Sequence, residues 1–277
     1  MENITPKRFG LHGSHLSYLD LGDGPVLLLG HSYLWDNHMW REQLELLSQR
    51  YRVIAVDLYG HGESGPLPAN HHSLIDIARD MLALLDSLAI DRFSIIGLSV
   101  GAMWGAELAL LAPGRVQTLV MLDSFIGFEP EVTRDKYFGM LDIIKQQQAI
   151  PDSLADAIVP LFFATTQSPR RDALIAEFRA ELLAIPAARI DSLVRLGRMI
   201  FGRRDTCEDA EQLTQPCLIM VGTEDKARTV LESYLMHETI AGSQLVHIPQ
   251  AGHISCLEQP EEVNKALLAF LARHLGH

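Results

Sequence analysis

Residues 93–112 read FSIIGLSVGAMWGAELALLA, and their reading decides the fold. The opening FSII is a short apolar run of the kind that forms a strand buried on both faces. The stretch after Gly101 is compatible with a helix. Between them stands Gly97-Leu98-Ser99-Val100-Gly101, a Gly-x-Ser-x-Gly string at the point where strand becomes helix. Such strings also arise by chance, and a passive serine in a tight turn is the bland alternative. The context favours the other reading. A turn this sharp holds the serine in a strained backbone conformation with its hydroxyl standing clear. Glycines at 97 and 101 let strand and helix approach where a β-carbon would clash. Ser99 is then a nucleophile at the C-terminal end of its strand, where open α/β sheets place their sites. Val100 offers a backbone N–H at a helix N-terminus, an environment that favours an anion.

Outward from this stretch, apolar runs at PVLLLG (25–30), YRVIAVD (51–57) and VQTLVMLD (116–123) read as further strands buried on both faces. HLSYLDLG alternates apolar and polar residues after RFGLHGS, whose Gly13 is placed to turn a hairpin. Helix-compatible segments lie near 36–50, 72–90 and 100–112. The pattern changes after residue 126. Amphipathic helical stretches follow, broken at Pro151, Pro169 and Pro186, with no convincing buried strand. PCLIMVG (216–222), a helix near 229–240, QLVHIP (244–249) and a helix from about 260 restore the alternation. The expected fold class is α/β: a mostly parallel central sheet flanked by helices. Residues 1–126 and 206–277 form its core, and 127–205 form an inserted helical cap.

The 277 residues carry a formal net charge of −12, and the basic residues that cluster, Arg170-Arg171 and Arg203-Arg204, are pairs read as solvated surface. Without a basic stripe to displace counterions, nucleic acid and anionic membranes are not expected partners. No apolar run is long enough to span a bilayer. The N-terminal stretch has no apolar signal-like segment, so cytoplasmic residence is the expectation. Three cysteines without C-x-x-C spacing argue against a disulfide framework or a thiolate zinc site.

A serine hydroxyl needs a base, and the base needs an orienting acid. Of twelve histidines, His253 stands apart, in a loop between the last strand and the last helix. Asp225 follows another buried strand, three residues past its terminal Gly222. The order Ser99, Asp225, His253 fits a strand–elbow–helix hydrolase. Asp123, at the end of the strand before the cap, is the alternative acid. Glu224 reads as a solvated carboxylate. His31, His61 and Asp57 read as structural, with the last two bracing a loop near the site.

Five segments in order (LLLGHSY, VIAVDLYGHGESG, GLSVGA, MVGTED and AGHISCLEQPEEVNKALLAFL) give the chain an end-to-end resemblance to α/β-hydrolase-fold enzymes. The last segment and VPLFFATT in the cap most resemble the 3-oxoadipate enol-lactonase and small esterase branch. The resemblance implies that Ser99 is the nucleophile, His253 the general base and then acid, and Asp225 the residue that orients it. It also implies a second oxyanion donor after the VLLLG strand, where relatives read His-Gly and this chain reads His31-Ser32-Tyr33. Tyr33 N–H is the expected donor beside Val100 N–H, with Leu34 the lesser choice. Ser32 is the departure: glycine there permits a positive φ that strains a serine. Either the loop takes another path or Ser32 tolerates the strain, adding its hydroxyl as a donor.

Trp35, Leu161, Phe162 and Phe125 are the expected pocket residues, with Phe163 and Ile126 beside them. Trp40 and Trp104 are expected in the core. The implied chemistry is hydrolysis of a small or medium apolar ester or lactone through an acyl-enzyme, with no metal or organic cofactor. Arg203, Arg204 or Arg228 would meet a carboxylate on the substrate if the cap folds over the site. Carbon–carbon bond hydrolysis, proline iminopeptidase or perhydrolase activity on the same triad, and a non-catalytic small-molecule receptor, are the alternatives. Monomer and homodimer both remain open.

Overall fold

Phe93–Leu98 is a strand in which all six residues are buried. Successive side chains of a strand point to opposite faces, so both faces of the sheet are covered there. The computed structural model describes residues 5–276 and contains one eight-stranded sheet. Its strands are β1 (Lys7–Leu11), β2 (Ser14–Leu21), β3 (Val26–Gly30), β4 (Arg52–Val56), β5 (Phe93–Leu98), β6 (Val116–Leu122), β7 (Cys217–Gly222) and β8 (Gln244–Ile248). Their spatial order is β1-β2-β4-β3-β5-β6-β7-β8. The β1–β2 and β2–β4 pairings are antiparallel and the rest are parallel. The expected hairpin at Gly13 is present: His12 and Gly13 both have positive φ (52° and 74°), the geometry of a two-residue turn matched to strand twist.

The helices of the core are α1 (Arg41–Leu47), α2 (Leu74–Ser87) and α3 (Val100–Leu111). Between β6 and β7 the chain inserts four helices, α4 (Glu131–Gln147), α5 (Asp152–Phe162), α6 (Pro169–Leu183) and α7 (Ala187–Phe201). The three prolines that break the apolar pattern open helices rather than interrupt them. Pro151 and Pro186 sit at N-cap positions and Pro169 begins α6, where a missing N–H costs nothing. After the insertion come α8 (Val230–Thr239), the single turn α9 (Ser255–Glu258) and α10 (Pro260–Leu275). α3 packs on β3, β5 and β6 with α2 beside it, while α10 packs on β6 and β8 with α1 nearby.

From the central β3, the chain crosses to β4 on one side and returns to β5 on the other. The loops that follow β3 and β5 therefore diverge at a topological switch point, a crevice at the strands' C-terminal edge. Trp40 and Trp104 are fully buried in the core. Among the described residues, no helix is long and apolar enough to cross a membrane.

Candidate active site

Ser99 follows β5 at the N-cap of α3 with φ 56° and ψ −119°, a region that costs a non-glycine residue on the order of 1–3 kcal/mol. Its neighbours hold it there: Ser99 N–H donates to Leu122 O (2.9 Å), and Ser124 Oγ donates to Ser99 O (2.8 Å). The two flanking glycines are steric requirements. A β-carbon on Gly97 would lie 2.3 Å from Ala102 N, and one on Gly101 would lie 2.1 Å from Gly30 O. Those clashes would push α3 away from β5 and β3.

His253 follows β8, and its Nδ1 lies 2.9 Å from Asp225 Oδ2. The other oxygen of Asp225 accepts the N–H groups of Ala227 (2.8 Å) and Arg228 (2.9 Å), which fixes the carboxylate. Ser99 and His253 line the same cleft. The structure thus brings the three residues expected of a triad to one end of the sheet.

Asp123, the alternative acid, makes no hydrogen bond to His253. It is fully buried at φ 46°, accepts Gly222 N–H (2.7 Å) and receives the Ser255 hydroxyl. Burial, and then the charge of Asp225, push its carboxyl well above the ordinary range. It ties the end of β7 to the His253 loop.

The loop after β3 departs from expectation. Ser32 does not have a positive φ; the left-handed residue is Leu34, at φ 68°. The strain expected at Ser32 has moved two residues along. Leu34 N–H is occupied, donating to His61 Nε2 (3.1 Å), which removes it as an oxyanion donor. Tyr33 N–H and Val100 N–H have no protein acceptor among the described residues. Ser32 Oγ is buried without a partner in the wall of the cleft.

His31 and His61 shape this loop. His31 donates from Nδ1 to Ser32 O (2.7 Å) and accepts Leu58 N–H at Nε2 (2.8 Å). His61 donates to Tyr59 O (3.0 Å) and accepts from Leu34. Each is a neutral ring with its proton on Nδ1. Burial, and next the adjacent His31, lower His61 to about 3. Asp57 accepts Asn37 N–H (2.8 Å) and Glu63 N–H (3.0 Å), and burial raises its carboxyl to about 6.

The cleft encloses about 690 Å³ of empty space, counting its open mouth. Its walls are mostly apolar. Leu161 and Phe162 line it as expected, with Ile158 on the same face of α5. Trp35 and Phe125 do not. The Trp35 ring stacks on Phe178 at 4.5 Å and 7°, held by an aromatic cluster under the insertion. Phe125 lies against Gly127, away from the cleft. Sequence reasoning missed α4, which contributes Tyr137, Met140, Leu141 and Ile144. Their i, i+3, i+4, i+7 spacing is a full helical stripe and was the available signal.

The arginines are engaged. Arg203 and Arg228 share the buried Glu129 carboxylate, and Arg228 also pairs with Glu232 (3.2 Å). Arg204 is bound to Glu107 (2.8 Å) and Asp209. Arg203 is therefore a buried ion-pair partner rather than solvated surface, and only Arg228 of the three borders the cleft. Arg170 reaches Glu42 (3.0 Å) and Arg171 donates to Ala164 O (2.6 Å), so this pair too has structural work. Glu224 is no free carboxylate: it accepts Thr165 N–H (2.7 Å) and Thr166 N–H (2.8 Å) from the insertion.

Residues 25–260 match the family model of the alpha/beta hydrolase fold. The chain belongs to that family. It is similar to 3-oxoadipate enol-lactonase 2 of Acinetobacter baylyi, at 24% identity over 93% of both chains. It is also similar to the karrikin insensitive 2 receptor IA of Petunia hybrida, at 28% identity over 93% of each. Among solved structures, a thermophilic esterase from Thermogutta terrifontis superposes with a TM-score of 0.87 at 26% identity. That match covers 98% of this hydrolase and 99% of the esterase.

Proposed function

We propose that this α/β hydrolase cleaves small to medium apolar carboxylic esters or lactones through an acyl-enzyme on Ser99. The observation that carries the reading is the 2.9 Å His253–Asp225 pair in a cleft that Ser99 also lines. Ser99 Oγ attacks the carbonyl carbon as its proton passes to His253 Nε2. The oxyanion is received by Val100 N–H and Tyr33 N–H, with the Ser32 hydroxyl as a third donor. Collapse expels the alcohol, which takes the proton from His253. Water, deprotonated by His253, then releases the acid and restores Ser99. Asp225 keeps the imidazole in the right tautomer and stabilises its charge.

The apolar stripe of α4 and the face of α5 favour a hydrocarbon acyl group. Arg228 is the cation at the wall, and its carboxylate partners leave it little charge to offer, so an acid-bearing lactone is the less favoured substrate. Similarity to the enol-lactonase and the esterase supports ester-bond chemistry.

Assaying p-nitrophenyl butyrate with the native chain and with Ser99→Ala tests the proposal. Turnover should fall on the order of 10⁴-fold or more, and a fluorophosphonate should label only the native serine. Turnover surviving in the alanine variant would refute the assignment. The similarity to a chain named a receptor favours one second reading, saturable binding of a small apolar ligand without ester turnover. The same assay separates the two.

A further inference from the structure

Three side chains from distant parts of the sequence converge beside the β1–β2 turn. His12, within that turn, places Nε2 3.2 Å from Oδ1 of Asp80 on α2. His71, just before α2, places Nε2 2.7 Å from Oδ2 of the same carboxylate. The three potential ligand atoms lie within 4.8 Å of one another. None of these residues lines the substrate cleft.

Tetrahedral metal–ligand bonds of about 2.0–2.2 Å put neighbouring donor atoms roughly 3.3–3.6 Å apart. The spacings of 2.7 and 3.2 Å, to the two oxygens of Asp80, and the 4.8 Å span of the three donor atoms bring the set within a small side-chain adjustment of that requirement. Supporting contacts are also in place. Tyr59 Oη donates to Asp80 Oδ2 (2.6 Å), orienting the carboxylate. Asn70 Oδ1 lies 3.3 Å from His71 Nδ1, where it accepts that N–H and leaves Nε2 for a ligand bond. Arg195 on α7 donates to Leu67 O (3.0 Å) and Pro68 O (2.8 Å), fixing the segment that carries His71. The side chains of His71 and Asp80 are 2% and 4% exposed, whereas that of His12 is 40% exposed, so an ion could enter from one side.

We propose that His12, His71 and Asp80 bind a divalent transition-metal ion of the zinc or cobalt type, with water completing its coordination. Each imidazole binds through Nε2 as the tautomer that carries its proton on Nδ1. A ring that donates from Nε2 to Asp80 in the ion-free protein reaches that tautomer by exchange with solvent, giving up the Nε2 proton and taking one at Nδ1 as the ion enters. The bound ion cross-links the edge hairpin, the segment before α2, and α2 itself. The cysteines gave no sign of it, because this donor set contains no thiolate and its members lie up to 68 residues apart.

The test uses the full, untagged chain stripped with chelator and titrated with CoCl₂ and ZnCl₂. Cobalt absorption and calorimetry report binding, and thermal melting reports stability. The native chain and His38→Ala, a control at another exposed histidine, should take up one ion and melt higher with it. His12→Ala, on the exposed turn, should bind at least tenfold more weakly while keeping its ester turnover. His12→Cys should restore binding with a cobalt–thiolate absorption band. No uptake by the native chain, or equal uptake by His12→Ala, would overturn the proposal and leave the cluster a hydrogen-bonded tie.

Discussion

Asp225 Oδ2 and His253 Nδ1 stand 2.9 Å apart, although their loops leave different strands, and both side chains are almost sealed from solvent. Replacing Asp225 with Asn would present a donor to Nδ1 and stabilise the wrong tautomer. The expected result is a fall in kcat of about 10⁴-fold with the fold intact. Asp123→Asn makes the contrast, because the hydrogen bonds of Asp123 go to Gly222 and Ser255 and not to His253. Its kcat should stay within about tenfold of native. Parallel p-nitrophenyl butyrate kinetics and melting curves check both.

The partnerless Ser32 hydroxyl belongs to the wall of the cleft that Ser99 also lines. Ser32→Ala removes a donor without altering the loop's φ. We expect kcat to drop about tenfold, near 1.4 kcal/mol of transition-state stabilisation, with KM nearly unchanged. A KM effect without a kcat effect would mean that the hydroxyl contacts only the ground state.

Ile144 lies on the cleft stripe of α4 and is 4% exposed. Ile144→Trp fills space that a long acyl chain would occupy. Turnover of p-nitrophenyl octanoate should fall at least about tenfold relative to the acetate. Equal effects on both esters would place the acyl chain elsewhere in the cleft.

His61 is held neutral in the fold, near 3 against 6.5 when free. The unfolded chain therefore binds more protons between those values. Stability from this group is complete above pH 6.5 and is lost as pH falls toward 3. Between pH 7 and pH 5 the loss is about 2 kcal/mol. Urea titrations at the two pH values should show it, and a smaller difference in His61→Gln, whose amide oxygen accepts Leu34 N–H without titrating.

The sheet was legible because buried strands write their own apolar runs: β3, β4, β5, β6 and β7 all appear as short uninterrupted stretches. The elbow was legible because a backbone constraint demands glycine at fixed offsets from Ser99. The pocket was not. Apolar periodicity tells that Trp35 or Leu161 faces something, but not whether that is another side chain or a ligand. Trp35 met Phe178, a partner far along the chain. Arg203 was unreadable for the same reason, since Glu129 lies 74 residues away. The path of the Ser32 loop depended on His61 drawing Leu34 N–H toward itself, a contact without local signature.

The junction between α5 and α6 has a further consequence. Glu224, beside Asp225, holds Thr165 and Thr166. Glu258 grips Ala164 N–H (3.0 Å) and Gly252 N–H (2.7 Å), the latter beside His253. Ile254 N–H donates to Phe162 O (3.2 Å). The roof over the cleft is riveted at this corner to the same two loops that carry Asp225 and His253. Transplanting a foreign helical insertion onto this scaffold would thus disturb proton transfer as well as specificity, unless the graft supplied backbone donors for both glutamates.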